Sequence, residues 1–137
     1  MADFVLSNAK VTINAVDLSD HVRSLTINYE AEVVDDTNMG DTARNKLPGL
    51  LNWTVDIEFA QDYASSKVDA TLFSLVGAAA FAISIVPVNT TVSATNPNFN
   101  GNALLASYPP LTGSVGALAT APIRLEGTGV LSRTTTP

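Results

Sequence analysis

Two stretches of strict alternation constrain this chain more than anything else in it. Leu25, Ile27, Tyr29, Ala31 and Val33 alternate with Ser24, Thr26, Asn28, Glu30 and Glu32. Leu51, Trp53, Val55, Ile57 and Phe59 alternate in the same way with Asn52, Thr54, Asp56, Glu58 and Ala60. Successive side chains of a strand point to opposite faces, so a sustained period of two predicts two strands, each with one apolar and one polar side. At ~3.3 Å per residue the first would run roughly 33 Å, above the usual strand length. Residues 35–49 between them are polar and rich in turn-formers. The expected arrangement is an antiparallel pair joined by an extended loop over 36–49, too long for a tight hairpin, and long loops in compact domains usually carry function. The apolar faces give a candidate core of Leu25, Ile27, Tyr29, Trp53, Val55, Ile57 and Phe59.

Residues 4–7 and 10–14 suggest a small opening hairpin, and 18–22 a turn or a single helical turn. One helix is expected after Asp62, where Ala64, Val68, Leu72, Leu75 and Val76 share a face at helical spacing, and Leu72 joins the candidate core. Ser66 and Asp69 have the spacing of a capping box, and Gly77 is a natural stop. Residues 81–88 are apolar at nearly every position, as in a strand buried on both sides. Residues 90–114 are rich in Asn, Pro, Gly and Ser, with room for a short strand over 103–108. A last strand over 121–132 puts Ile123, Leu125 and Leu131 on one face and Arg124, Glu126 and Thr128 on the other. Residues 133–137 are expected to form a flexible end. All of this fits a single, mainly β domain over 1–137.

Composition narrows the function. The 137 residues are 46% hydrophobic and 15% charged, enough apolar material for a core and too little charge for a disordered chain. Without cysteine there is no disulfide, thiolate metal site or cysteine nucleophile. A net charge of −6 argues against tight binding of nucleic acid, which runs on clustered Lys and Arg. The N-terminal residues lack a secretory pattern, and the apolar run over 72–88 is broken by Gly77, ends at Pro87 and falls short of the ~20 residues of a membrane span. An intracellular site of synthesis is expected.

Motifs for chemistry are scarce. Ser19, Asp20 and the single histidine, His21, are adjacent on a turn, which does not supply the nucleophile–base–orienter arrangement of acyl transfer. Numbering Asp35 as the first position of a calcium loop puts Gly40 correctly at the sixth but Lys46 where a carboxylate is needed. Gly113-Ser-Val-Gly and Gly127-Thr-Gly lack the setting of a phosphate cradle and read as turns. No catalytic residue, cofactor or metal is expected. The acids, by contrast, are concentrated: Glu30, Glu32, Asp35, Asp36, Asp41, Asp56, Glu58 and Asp62 fall within residues 28–62. If the long strands pair, Glu30, Glu32, Asp56 and Glu58 share one surface with Ser24, Thr26, Asn28, Asn52 and Thr54. Like charges crowded across strands weaken a sheet. That surface is either a solvated face or one that must not stick to a polyanion moving past it.

The run Val16-Asp-Leu-Ser-Asp-His-Val-Arg-Ser-Leu-Thr-Ile-Asn-Tyr-Glu30 and the segment Met39-Gly-Asp-Thr-Ala-Arg44 resemble the major tail proteins of long-tailed, non-contractile bacteriophages. So do Gly49-Leu-Leu-Asn-Trp-Thr-Val-Asp-Ile-Glu-Phe-Ala-Gln-Asp-Tyr63 and Lys67-Val-Asp-Ala-Thr-Leu-Phe73, and the likeness is strongest to those of phages infecting actinobacteria. It covers residues 3–132 through the order of its elements. The resemblance implies an antiparallel β-sandwich or barrel-like tail tube fold with one flanking α-helix. It also implies a virion protein, made in the host cytoplasm, that forms hexameric rings stacked into a tube. The lumen of such a tube holds the tape-measure protein and later conducts double-stranded DNA; tail terminator and distal tail proteins are further partners, and no membrane insertion is implied. The expected lumen-facing residues are Ser24, Thr26, Asn28, Glu30, Glu32, Asn52, Thr54, Asp56 and Glu58. Asp36, Asn38, Met39, Asp41, Arg44 and Lys46 belong to the loop that reaches the next ring. Two rival readings remain: another virion or injection-machine ring protein, such as a terminator, or a small binding module using Tyr63, Tyr108 and the Asn-rich residues 95–102.

Overall fold

The computed structural model describes residues 4–136. Seven antiparallel strands form one sheet: β1 (Lys10–Ile13), β2 (Val16–Asp17), β3 (Val22–Asp35), β4 (Lys46–Ala60), β5 (Phe81–Val86), β6 (Asn98–Ser107) and β7 (Thr120–Thr134), in the order β2-β1-β5-β6-β7-β4-β3. The protein is mainly β, and the sheet is not closed into a barrel. It bends over on itself instead. The early half of β7 pairs with β4, while its later half runs with the early half of β6 beside β5. Two register shifts in the β6–β7 ladder mark where these long strands turn the corner. The bend brings Leu25 and Ile27 of β3 near Ile85 and Phe99, so the two ends of the sheet enclose one apolar interior.

That interior holds Val11, Ile13, Trp53, Val55, Ile57, Phe59, Ile83, Ile85, Leu105, Ile123 and Leu125. A single short helix, α1 (Val68–Leu72), continues as a 3-10 turn over Phe73–Leu75 and buries Val68, Leu72 and Leu75 against the core. Of the candidate core, Trp53, Val55, Ile57, Phe59 and Leu72 are buried, and Leu25 and Ile27 are half-buried. Tyr29 is 53% exposed and does not belong to it. The reason is extent: β4 pairs with β7 only from Thr54 onward, so Tyr29–Asp35 and Lys46–Asn52 run past the body as a two-stranded arm.

Several local expectations are corrected. The opening hairpin is β1–β2, turning through Asn14 and Ala15 at positive φ, and residues 4–7 form no strand. The capping box does not form: Ser66 has φ +61°, Lys67 occupies the N-cap, and the Asp69 carboxylate accepts from the Tyr108 hydroxyl at 2.7 Å. The helix is correspondingly short, and Ala64 and Val76 lie outside it, exposed. β5 is buried throughout on one face, while on the other Ala82 is exposed, Ser84 half-buried and only Val86 buried. The connection over 36–49 is really 36–45, because Lys46, Leu47 and Pro48 pair with Asp35, Val34 and Val33. Gly127 and Gly129 are not in a turn but within β7.

Candidate functional surface

The face of the sheet opposite the core is built by register. Ser24 pairs with Glu58, Thr26 with Asp56, Asn28 with Thr54 and Glu30 with Asn52, so the predicted polar surface is contiguous across β3 and β4. Glu32 follows on β3 opposite Gly49, where a register shift bends the arm. Ser24, Thr26, Asn28, Glu30, Glu32 and Asn52 are exposed, Asp56 and Glu58 half-buried, and Thr54 buried.

The ladder extends this face onto β7, where Asp56 lies beside Arg124 and Thr54 beside Glu126. Arg124 reaches Asp56 Oδ1 at 3.7 Å and Glu126 Oε1 at 3.2 Å. A cleft of about 420 Å³ runs here between Ser24, Thr26, Asp56, Glu58, Ser107 and Arg124. The wall is therefore acidic with one guanidinium set into it. Sequence reading placed Arg124 and Glu126 on a polar strand face but did not connect that face to β4; the signal was the polar positions of a third alternating segment.

The second element is the arm. Tyr29, Ala31 and Val33 face the same side as Leu51 and Pro48, with Val33 63% and Leu51 53% exposed. On the other side Val34 and Leu47 lie beyond Glu30 and Glu32. The outer edge of β3 has no strand partner among the described residues, so its backbone donors and acceptors are open for pairing along most of its length. The tip is ordered by its own polar groups. Asp36 N–H donates to Asn45 O at 2.8 Å, Asn45 N–H to Thr37 Oγ1 at 2.9 Å, and Asn38 N–H to Asp41 Oδ2 at 2.7 Å. The Thr37 hydroxyl and amide, with Arg44 at 3.0 Å, hold the Asp35 carboxyl below its usual range. Met39 projects fully into solvent at the apex. Asp36, Asn38, Met39, Asp41 and Arg44 lie in this connection; Lys46 is the first residue of β4.

The remaining candidates have structural employment. His21 lies between two carboxylates, Nδ1 2.7 Å from Asp20 and Nε2 2.8 Å from Asp62, while the Ser19 hydroxyl is engaged by Asp17 and the Val11 carbonyl. Serine and imidazole do not meet. Burial disfavours the imidazolium, but the two carboxylates outweigh it and raise the His21 pKa above 6.5. The Tyr63 hydroxyl donates to Pro110 O at 2.7 Å, and Tyr108 bridges Asp69 and Gln61. In the Asn-rich stretch the Asn96 side chain is buried and ties Val88, Thr90 and Thr91 together, as a turn scaffold rather than a ligand platform. No cluster of three or more metal-ligating side chains occurs among the described residues, and none of their helices is long and apolar enough to cross a membrane.

No protein-family model and no curated protein matches the chain. Its fold does match solved structures. A chain in the virion of a native gene transfer agent particle superposes with a TM-score of 0.71 at 16% identity, covering 93% of this chain and 95% of that one. A chain in the tail of an empty particle of the same kind, refined with C6 symmetry, gives 0.71 at 16% identity over 93% and 94%. A chain in the sheath/tube terminator of an extracellular contractile injection system gives 0.76 at 13% identity over 98% of both. At these identities the likeness is one of fold.

Proposed function

We propose that this chain is a structural subunit of a tail tube, with no catalytic role, which polymerises as stacked hexameric rings. The observation that carries this reading is the arm: a long two-faced ribbon with a bare apolar side and an open β3 edge, parts that a monomer leaves unused. The likeness to chains of a gene transfer agent tail with C6 symmetry supports it. In such a ring the open β3 edge pairs with a strand of the neighbour, removing an aggregation-prone edge. The polar face of β3, β4 and β7 then lines the bore, and the arm reaches the adjacent ring.

On that placement Glu30, Glu32, Asp56, Glu58 and Glu126 repel DNA phosphates, while Arg124 is neutralised by its two carboxylate neighbours. The screening length of about 8 Å at physiological salt confines the repulsion to a layer at the wall, which suffices to keep the genome from sticking. The same bore holds the tape-measure protein before ejection, and terminator and distal tail proteins close the tube's ends. The sequence resemblance supports a location in the virion of a long-tailed, non-contractile phage of an actinobacterial host.

Negative-stain microscopy of the purified protein tests the reading: extended tubes are expected, and single closed rings would favour the terminator role suggested by the injection-system likeness. Replacing residues 36–45 by a two-residue turn should leave a folded monomer that makes no tubes. Glu30→Lys with Glu58→Lys should assemble yet deliver DNA poorly; unaltered infectivity would remove the electrostatic role.

A further inference from the structure

Between Asp69 and Arg124 the sequence contains no Asp, Glu, Lys or Arg. Much of this uncharged span lies in the core, but its connection from β6 to β7 does not. Leu111 is 80% exposed, Leu118 60%, and Val115 projects completely. The connection is pinned in place: Gln61 N–H donates to Ala119 O at 3.1 Å, Gln61 Nε2 to Pro110 O at 2.9 Å, and Tyr63 to the same carbonyl. Phe73 is exposed on the 3-10 turn that follows α1 and Val76 just beyond that turn, and Tyr108 ties α1 to this end through Asp69.

This neutral cap sits where β4 ends and β7 begins, since Ala60 pairs with Thr120. The arm's tip is at the other end of the same 15-residue strand, a separation of roughly 45 Å at ~3.3 Å per residue. One molecule thus carries two bare apolar surfaces at opposite poles. The inner side of the arm, Tyr29, Ala31, Val33, Pro48 and Leu51, is also free of charge.

We propose that the cap, centred on Leu111, Val115 and Leu118, receives the apolar side of the arm of a second copy of this chain. This rests on the tube reading and names its axial contact. Copies carrying a net charge of −6 repel, and that repulsion weighs least on a contact from which the acids are absent. Joining these two surfaces desolvates no ion, and charge depletion is the compositional mark of an interface core. Because the surfaces differ and lie at opposite poles, each copy that docks offers a fresh cap or arm, and the contact propagates as an open filament.

The absence of native cysteine makes the test clean. Val33→Cys and Val115→Cys are prepared separately, mixed and oxidised under tube-forming conditions. The expected product is the mixed disulfide dimer, with little of either homodimer; predominant homodimers would mean a symmetric contact and overturn the proposal. In parallel, Leu111→Asp with Val115→Asp should keep wild-type circular dichroism and Trp53 emission but raise the critical concentration for tubes more than tenfold. Tubes formed as readily as by wild type would overturn the cap while leaving the tube reading intact. A wild-type chain that stays monomeric at millimolar concentration would overturn both.

Discussion

Gly127→Ala adds one methyl group and should cost more stability than any other single-methyl change in this protein. Trp53, the only tryptophan, lies 1% exposed with its indole flat against the backbone of β6 and β7, and its Nε1 donates to Gly129 O at 3.2 Å. A Cβ at position 127 would fall 2.5 Å from that nitrogen, and closer still to ring atoms Cδ2 and Cε2. Those atoms belong to the fused part of a ring held by a hydrogen bond, so no flexible end can swing aside. Two responses are open. Shifting β7 or the indole carries the ordinary cost of overpacking, about 1–3 kcal/mol. Expelling the indole forfeits burial of ~150–250 Å² at ~25 cal/mol/Å², about 4–6 kcal/mol. The cheaper response wins, and the severity of the overlap places it at the top of its range, about 3 kcal/mol. In urea that lowers the midpoint by roughly 1–2 M with the slope unchanged. Gly101→Ala is the internal control: its Cβ would meet Trp53 Cζ2 at 2.8 Å, a milder overlap, so about 1–2 kcal/mol is expected. Tryptophan fluorescence read in the same titration reports whether the indole stays dry. If Gly127→Ala unfolds within 0.5 kcal/mol of wild type with unshifted emission, the close packing described here is wrong.

Three further outcomes follow from single groups. His21 has its pKa raised in the folded state, so its contribution is complete below about pH 6.5 and is lost as pH rises through the raised value. The Ala64 amide first, and His21 second, hold Asp62 below 3.8, and that contribution is lost as pH falls through its lowered value. Stability should therefore be greatest between about pH 4 and 6.5, and His21→Gln should flatten the decline between pH 6 and 8 in thermal melts. The buried Thr71 hydroxyl has no hydrogen-bond partner among the described residues, so Thr71→Val should be neutral or raise stability by up to about 1 kcal/mol in urea unfolding. Tyr108→Phe removes the bonds to Asp69 and Gln61 and should cost about 1–3 kcal/mol. It should also abolish an absorbance titration step near 12, where burial first and the Asp69 carboxylate second push the wild-type phenol.

The long strands were legible because alternation reports directly which side chains share a face. It does not report whether a body lies over that face. Tyr29 and Val33 continue the pattern of Leu25 and Ile27 without a break, yet β7 stops accompanying β4 before reaching them, and they emerge into solvent. Pro48 and Gly49 look like loop residues in the sequence because both disfavour strands. In this part of the arm β4 has a neighbour on one side only, the setting in which a strand tolerates proline. The Trp53 site could not have been read at all, since it depends on Gly101 and Gly127 arriving from distant strands to leave the indole its space. The neutral cap was visible in the sequence as a missing residue class, a signal that a search for motifs passes over.

The arm and its anchor bear on how such a subunit could stay soluble and still polymerise. An isolated two-stranded ribbon is marginal in water. Beyond Trp53 this one has no third strand beside it among the described residues, so the hydrogen-bonded tip and the indole at its root contribute much of its order in the free molecule. A stiff, preorganised arm lowers the entropy lost on docking. An apolar one left bare invites aggregation through its open edge. The acids on its outer side and at its tip offset that hazard, because two arms brought edge to edge would set Glu30 and Glu32 against their like. Repulsion thus discourages arm from meeting arm, and the uncharged pole of another molecule is left as the surface an arm can approach without opposing its own charge.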